Sequence, residues 1–180
     1  MTNLCRMGLA LVQTALVALL AAMPARAADD PSIAAYAERR CLTEALYFEA
    51  GSEGEAGMRA VAEVVFRRMD APGFPATVCK VVYQGKFRKV CQFSFVCDGA
   101  RVRPRGKVLW RDAWTLAGRY LANRKAVLEE DTTQGATHFH TIDVSPGWED
   151  EGLERTVQIG RHIFYRPKGD GARTPGARVP

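Results

Sequence analysis

An α+β domain is the fold class this sequence predicts, and three observations predict it. Apolar residues recur at helical spacing through the first half of the chain, at Leu42, Ala45 and Leu46, then at Val61, Val64, Val65 and Met69. Alternation with a period of two enters only later, from about residue 90 onward. The 180-residue chain is 47% hydrophobic and shows no internal repeat, which suits one domain with its own core.

Residues 1–27 stand outside that domain. Arg6 gives a positive start, Met7 to Met23 carry no charge, and "PARAA" offers an Ala-x-Ala site ending at Ala27. An uncleaved anchor is the alternative, but the apolar stretch is shorter than the roughly 20 residues of a spanning helix and is interrupted by Gln13 and Thr14. It reads as a cleaved export signal, which implies a periplasmic protein with no stable membrane insertion. Cys5 leaves with it, so Cys41, Cys79, Cys91 and Cys97 remain, an even number that predicts two disulfides with the pairing open. An extended chain would hold Cys91 and Cys97 roughly 20 Å apart, which favours longer-range pairs. The net charge of +5 falls to +3 without Arg6 and Arg26, too weak to argue for a nucleic-acid partner.

The domain spans 33–166. Its first helix runs from Ile33 to Ala50, with Pro31 at its opening and Gly51 at its stop. The second runs from Glu55 to Met69, with Arg59, Glu63 and Arg67 as an outward ladder. "DAPGFP" ends it, and a short helix covers Thr77 to Tyr83. In "VCQFSFVCD", Phe93 and Phe95 alternate with Gln92 and Ser94, the pattern of a strand with one polar face. An amphipathic helix follows from Val108 to Asn123, with Trp110, Ala113, Trp114, Ala117 and Leu121 as its core stripe. A strand then carries His138 and His140, and "TVQIGRHIFY" reads as one last strand. Residues 167–180 have the Pro, Gly and charge content of a disordered tail.

Glu49 is the residue that carries chemistry. It shares one helical face with Leu42, Ala45 and Leu46, so it points inward, at a helix C-terminus where the macrodipole disfavours negative charge. Both circumstances raise a carboxyl pKa, and a protonated glutamate near neutral pH is what glycosidic cleavage requires. Glu53 is either a second carboxylate or a cap for the second helix, and the cap is favoured because Gly51 and Gly54 break the helix between them. Glu44 falls off the apolar stripe and is expected to be exposed. "HFH" places His138 and His140 on one strand face, where they line a polar cleft or chelate zinc. No histidine precedes His138 to complete the ligand set of a zinc amidase, so no metal or other cofactor is expected. Trp148, after a Pro-Gly turn, either stacks on a sugar or anchors its loop.

Together, "YFEAGSE", "GMRAVAEVVFRRM", "CQFSFVCDG", "TTQGATHFH" and "IGRHIFY" resemble, in order, the spore cortex-lytic (SleB/CwlJ-type) cell wall hydrolase family. That family has Glu-Ala-Arg-Gly-Glu at a helix end, then Gly-Gln-x-Ala-Val, Asn-Arg, Gln-Phe-Ser and a closing Ile-Gly-x-His-x-Phe-Tyr. The resemblance covers Cys41 to Tyr165 and implies a lysozyme-like fold. It makes Glu49 the catalytic acid and Glu53 the second glutamate of the motif. Gln92, Phe93 and Ser94 fall on the substrate-cleft motif, and His162 on the closing histidine. Gly51 and Ser52 stand for Arg-Gly, Met58 for Gln and Arg67 for Asn. The implied activity is cleavage of peptidoglycan glycan strands between N-acetylmuramic acid and N-acetylglucosamine, by a single glutamate and with a lean toward lytic transglycosylation. A zinc-dependent N-acetylmuramoyl-L-alanine amidase and a non-catalytic peptidoglycan-binding protein are the competing readings.

Overall fold

In the computed structural model, residues 30–88, 91–102, 106–148 and 152–169 are described. The expected export signal, residues 1–27, and the expected tail from residue 170 on lie outside them. Ala35–Pro180 form one compact unit.

Helix α1, Pro31–Ala50, buries Leu42, Ala45, Leu46 and Ala50 completely. A 3-10 turn, Gly51–Glu53, separates it from α2, Gly54–Asp70. Gly54 has φ +68°, a conformation that favours glycine, so the two helices cannot fuse. Helix α2 is buried on two sides. Val61, Val65 and Phe66 join the main core with α1, while Ala60 and Val64 meet Ala136 and Phe164 under the sheet. The short α3, Val78–Val82, is capped by Thr77 and tied to α1 by the Cys41–Cys79 disulfide, with Cα atoms 5.2 Å apart. Helix α4, Lys107–Ala122, is followed by α5, Arg124–Glu130, which the sequence pattern did not predict. The sheet is antiparallel with order β1-β3-β2, from β1 His138–Thr141, β2 Leu153–Ile159 and β3 His162–Pro167. This is the expected α+β class, with helices first and a small sheet after.

Several local expectations are corrected. "CQFSFVC" is a 3-10 turn at Ser94–Val96, not a strand, and Cys97 N–H donates to Ser94 O at 2.9 Å. That reversal brings the Cα atoms of Cys91 and Cys97 to 6.0 Å, and the two are bonded to each other. The preference for longer-range pairs therefore holds for Cys41–Cys79 and fails here. "TVQIGRHIFY" is a hairpin of two strands, because Gly160 takes φ +57° and reverses the chain. Glu44 is fully buried, accepting from Tyr83 Oη with Arg40 and Arg101 at 3.6 and 3.4 Å. The outward ladder is not outward either. Glu63 is buried and accepts from Thr132 Oγ1, Thr133 Oγ1 and Thr133 N, because the turn after α5 covers that flank of α2. Trp110 and Trp114 are half-buried at the surface and not in the core.

Candidate functional site

Glu49 sits one turn beyond Ala45 and Leu46 on the inward stripe of α1, at the point where the helix gives way to the 3-10 turn. It is half-buried, and its Oε1 is shut from solvent without a hydrogen-bond partner. Burial first, and the negative charge of Asp98 second, push its carboxyl up to about 7 against the pull of Arg68. At neutral pH such a group is divided between acid and base, the condition for passing a proton both ways.

Arg68 was not singled out in the sequence, yet it is the cation of the site. It lies on α2 and is 4% exposed. Its Nε donates to Thr137 O at 2.6 Å, and its guanidinium lies 5.3 and 5.5 Å from the rings of Phe74 and Phe93. Burial lowers its pKa to about 10 while Glu49 raises it, so it stays charged at neutral pH. Its Nη1, like Glu49 Oε1, is buried with no hydrogen-bond partner. Buried polar atoms are normally hydrogen-bonded, and a polar ligand group or a water is a natural complement to these two.

The sheet supplies the rest. Burial, then the field of Arg68, hold His138 down at about 4, so its imidazole is neutral. Its ring meets Phe74 at 6.0 Å and Trp148 at 5.5 Å. His140 Nδ1 lies 2.8 Å from Thr141 O, which can only accept, so that nitrogen carries the hydrogen and Nε2 accepts from Tyr165 Oη at 3.1 Å. Trp148 packs its ring against His138, His140 and Tyr165 at 5.4–5.7 Å. Phe93 is 1% exposed and serves as packing beneath Arg68, whereas Gln92 and Ser94 on either side of it are exposed.

Glu53 and His162 form a separate unit. Glu53 occupies the N-cap position of α2, as expected, but its side chain makes no cap hydrogen bond. Glu53 Oε1 instead accepts from Arg161 N at 3.0 Å, and Oε2 accepts from His162 Nδ1 at 3.0 Å, with side chains 7% and 3% exposed. A Cβ on Gly57 or Gly160 would fall 2.6 or 2.5 Å from Glu53 atoms, so both glycines make room for it. Glu53 thus ties the 3-10 turn to the β2–β3 hairpin.

Among the described residues no group of three His, Cys, Asp or Glu side chains is arranged to hold a metal ion. Nor is any described helix long and apolar enough to cross a membrane. Two surface hollows, of about 350 and 440 Å³, are lined by residues other than those of the Glu49 cluster.

A proton-exchanging carboxyl beside a buried cation, on a small α+β body, is the equipment of an enzyme. Residues 52–165 match the Cell Wall Hydrolase family, and the chain belongs to that family. Glu49 falls just before the matched span. The chain is similar to the spore cortex-lytic enzyme of Halalkalibacterium halodurans, at 28% identity over 130 residues. That match takes in 68% of this chain and 33% of the enzyme, so the chain spans about a third of the relative's length. Its fold is also that of two solved structures, each at a TM-score of 0.52. One is the catalytic domain of the Bacillus cereus SleB protein, 21% identical, covering 73% of this chain and 91% of that one. The other is the catalytic domain of the germination-specific lytic transglycosylase SleB from Bacillus anthracis, 22% identical, covering 72% and 94%.

Proposed function

We propose that the chain cleaves peptidoglycan glycan strands as a lytic transglycosylase, with Glu49 as the single proton-transfer residue. The observation that carries this reading is the Glu49 carboxyl itself, with one oxygen buried and unpartnered and a pKa raised to about 7. The family membership and the lytic transglycosylase among its structural relatives support the choice of substrate.

The chemistry balances on one carboxyl. Protonated Glu49 donates to the glycosidic oxygen as the C1–O bond of N-acetylmuramic acid breaks, and positive charge develops at C1. The resulting carboxylate, next to Arg68, then takes the proton of the muramyl 6-hydroxyl as its oxygen closes on C1, giving an anhydro ring and restoring the acid. On this reading Arg68 supplies the positive charge beside the reacting carboxylate, and exposed Gln92 and Ser94 contact the strand. His138, His140 and Trp148 shape the neighbouring wall. Gly51, where the family motif has arginine, packs under Leu109: a Cβ there would lie 2.8 Å from Leu109 Cδ2, so a side chain at that point would require Leu109 to shift.

The two disulfides favour an oxidising compartment, and with the signal-like residues 1–27 they support export to the periplasm. Mass spectrometry of products from purified sacculi, digested in EDTA, tests the reading. Anhydromuropeptides are expected. Reducing-end muropeptides would replace the transglycosylase with a hydrolase, free stem peptides would replace both with an amidase, and no product at all would leave a binding protein.

A further inference from the structure

The tryptophans expected in the core line instead a hollow of about 440 Å³ on the α1–α4 surface, together with Tyr36, Arg40 and Arg111. None of these residues belongs to the Glu49 cluster. Its aromatic floor is fixed in place. Arg39 donates from Nε and Nη2 to Trp114 O at 3.0 and 2.9 Å and lies 4.3 Å from the Trp114 ring centroid. Gly118 makes this possible, since a Cβ there would stand 2.7 Å from Arg39 Cζ. A mid-helix glycine is unfavourable by about 1 kcal/mol against alanine, so this clearance comes at some expense to α4. Trp110 rests edge-on against Tyr47 at 5.5 Å, and Tyr36 leans on Trp114 at 5.3 Å while remaining 58% exposed.

The rim has one sign. Arg40 and Arg111 have side chains 53% and 73% exposed. Their acidic neighbours hold them loosely, Glu44 at 3.6 Å from Arg40 and Asp112 at 3.6 Å from Arg111. Among the described residues no acidic one lines the hollow. Packed rings beneath two exposed guanidinium groups suit a ligand with a flat apolar face and a carboxylate: ring faces stack on sugars, and an arginine fork grips a carboxylate in two places.

We infer that the Tyr36–Trp110–Trp114 hollow is a second saccharide-binding site, separate from the catalytic cleft, that takes an acidic peptidoglycan fragment with a sugar face on the rings and a stem carboxylate on Arg111 and Arg40. The choice of ligand rests on the proposed function. Such a site holds an insoluble strand on the enzyme between cleavage events.

The three tryptophans make the test specific to each site. In folded Glu49→Gln protein, the indole N–H signals of Trp110 and Trp114 report the hollow and that of Trp148 reports the cleft. Soluble disaccharide-peptide muropeptides should move the Trp110 and Trp114 signals. Arg111→Gln or Tyr36→Ala should weaken that binding roughly tenfold, the scale of one charge-assisted or stacking contact, with melting temperatures kept. Neutral chitotetraose should bind the hollow much more weakly and be indifferent to Arg111→Gln. Silence at Trp110 and Trp114 while Trp148 responds overturns the second site and leaves the catalytic reading standing. A response at Trp110 and Trp114, with a parent protein carrying Glu49 that cleaves no sacculus, leaves the site standing and removes the catalytic reading. Chitotetraose binding as tightly as the muropeptide overturns the acidic ligand. Concentration-dependent shifts without ligand, with a dimer mass, overturn the site in favour of self-association.

Discussion

Glu49 and Glu53 are the same residue type four positions apart, and their surroundings make them opposites. The turn Gly51–Glu53 takes the second glutamate off the stripe of the first and delivers it to the β2–β3 hairpin. There it accepts a backbone N–H and the His162 Nδ1 hydrogen, so both of its oxygens are matched. Glu49 keeps an unmatched buried oxygen and a raised pKa. A satisfied buried carboxylate holds structure together, while an unsatisfied one retains affinity for a proton. The proposed function makes Glu49 the reactive group of the two and leaves Glu53 a structural one, where the motif alone places two glutamates side by side.

Substitution at each position should break the comparison in opposite ways. Glu49→Gln should lower turnover on purified sacculi by about 10²- to 10⁴-fold while urea unfolding stays cooperative, because the amide cannot exchange the proton. Glu53→Ala should instead destabilise the fold by about 3 kcal/mol in urea melts, since it strands the Arg161 N–H and His162 beside a new void. A Glu53→Ala protein as stable as the parent but inactive would make Glu53 a second catalytic carboxylate and erase the distinction.

Two smaller effects follow pH. The folded pKa of Glu49, about 7, lies above its ordinary 4.5, so the native state holds that proton more tightly than the unfolded chain does. Its ionisation penalty therefore develops as pH rises from 4.5 and is complete above 7. Glu49→Gln, free of it, should gain about 2 kcal/mol on the parent across that window, read from urea midpoints. His138 runs in the other direction. Its folded pKa of about 4 lies below 6.5, so it contributes stability that is present above pH 6.5 and lost as pH falls toward 4. His138→Asn should flatten that acid limb, read from the same urea midpoints.

What could be read from the sequence follows the reach of the interactions. Helices α1, α2 and α4 were legible because their apolar spacing is local, and Glu49 was legible because it interrupts such a stripe. Arg68 could have been found by the same signal, since it extends the Val61, Val64 and Val65 face of α2 by one turn. The buried states of Glu44 and Glu63 could not, because their partners Tyr83, Thr132 and Thr133 are 39 to 70 residues away. The Phe93–Phe95 alternation misled for a different reason: a 3-10 turn closed by a disulfide can also bury both rings on one side. Trp110 and Trp114 keep helical spacing, but among the described residues the face they share is only half-covered.

The central claim is that Glu49 holds its proton near neutral pH, and its carboxyl carbon can be followed directly by ¹³C NMR through a pH titration of the folded protein. A midpoint at about 7 is expected from its burial beside Asp98. A midpoint near 4.5 would make Glu49 an ordinary solvated carboxylate and contradict the account.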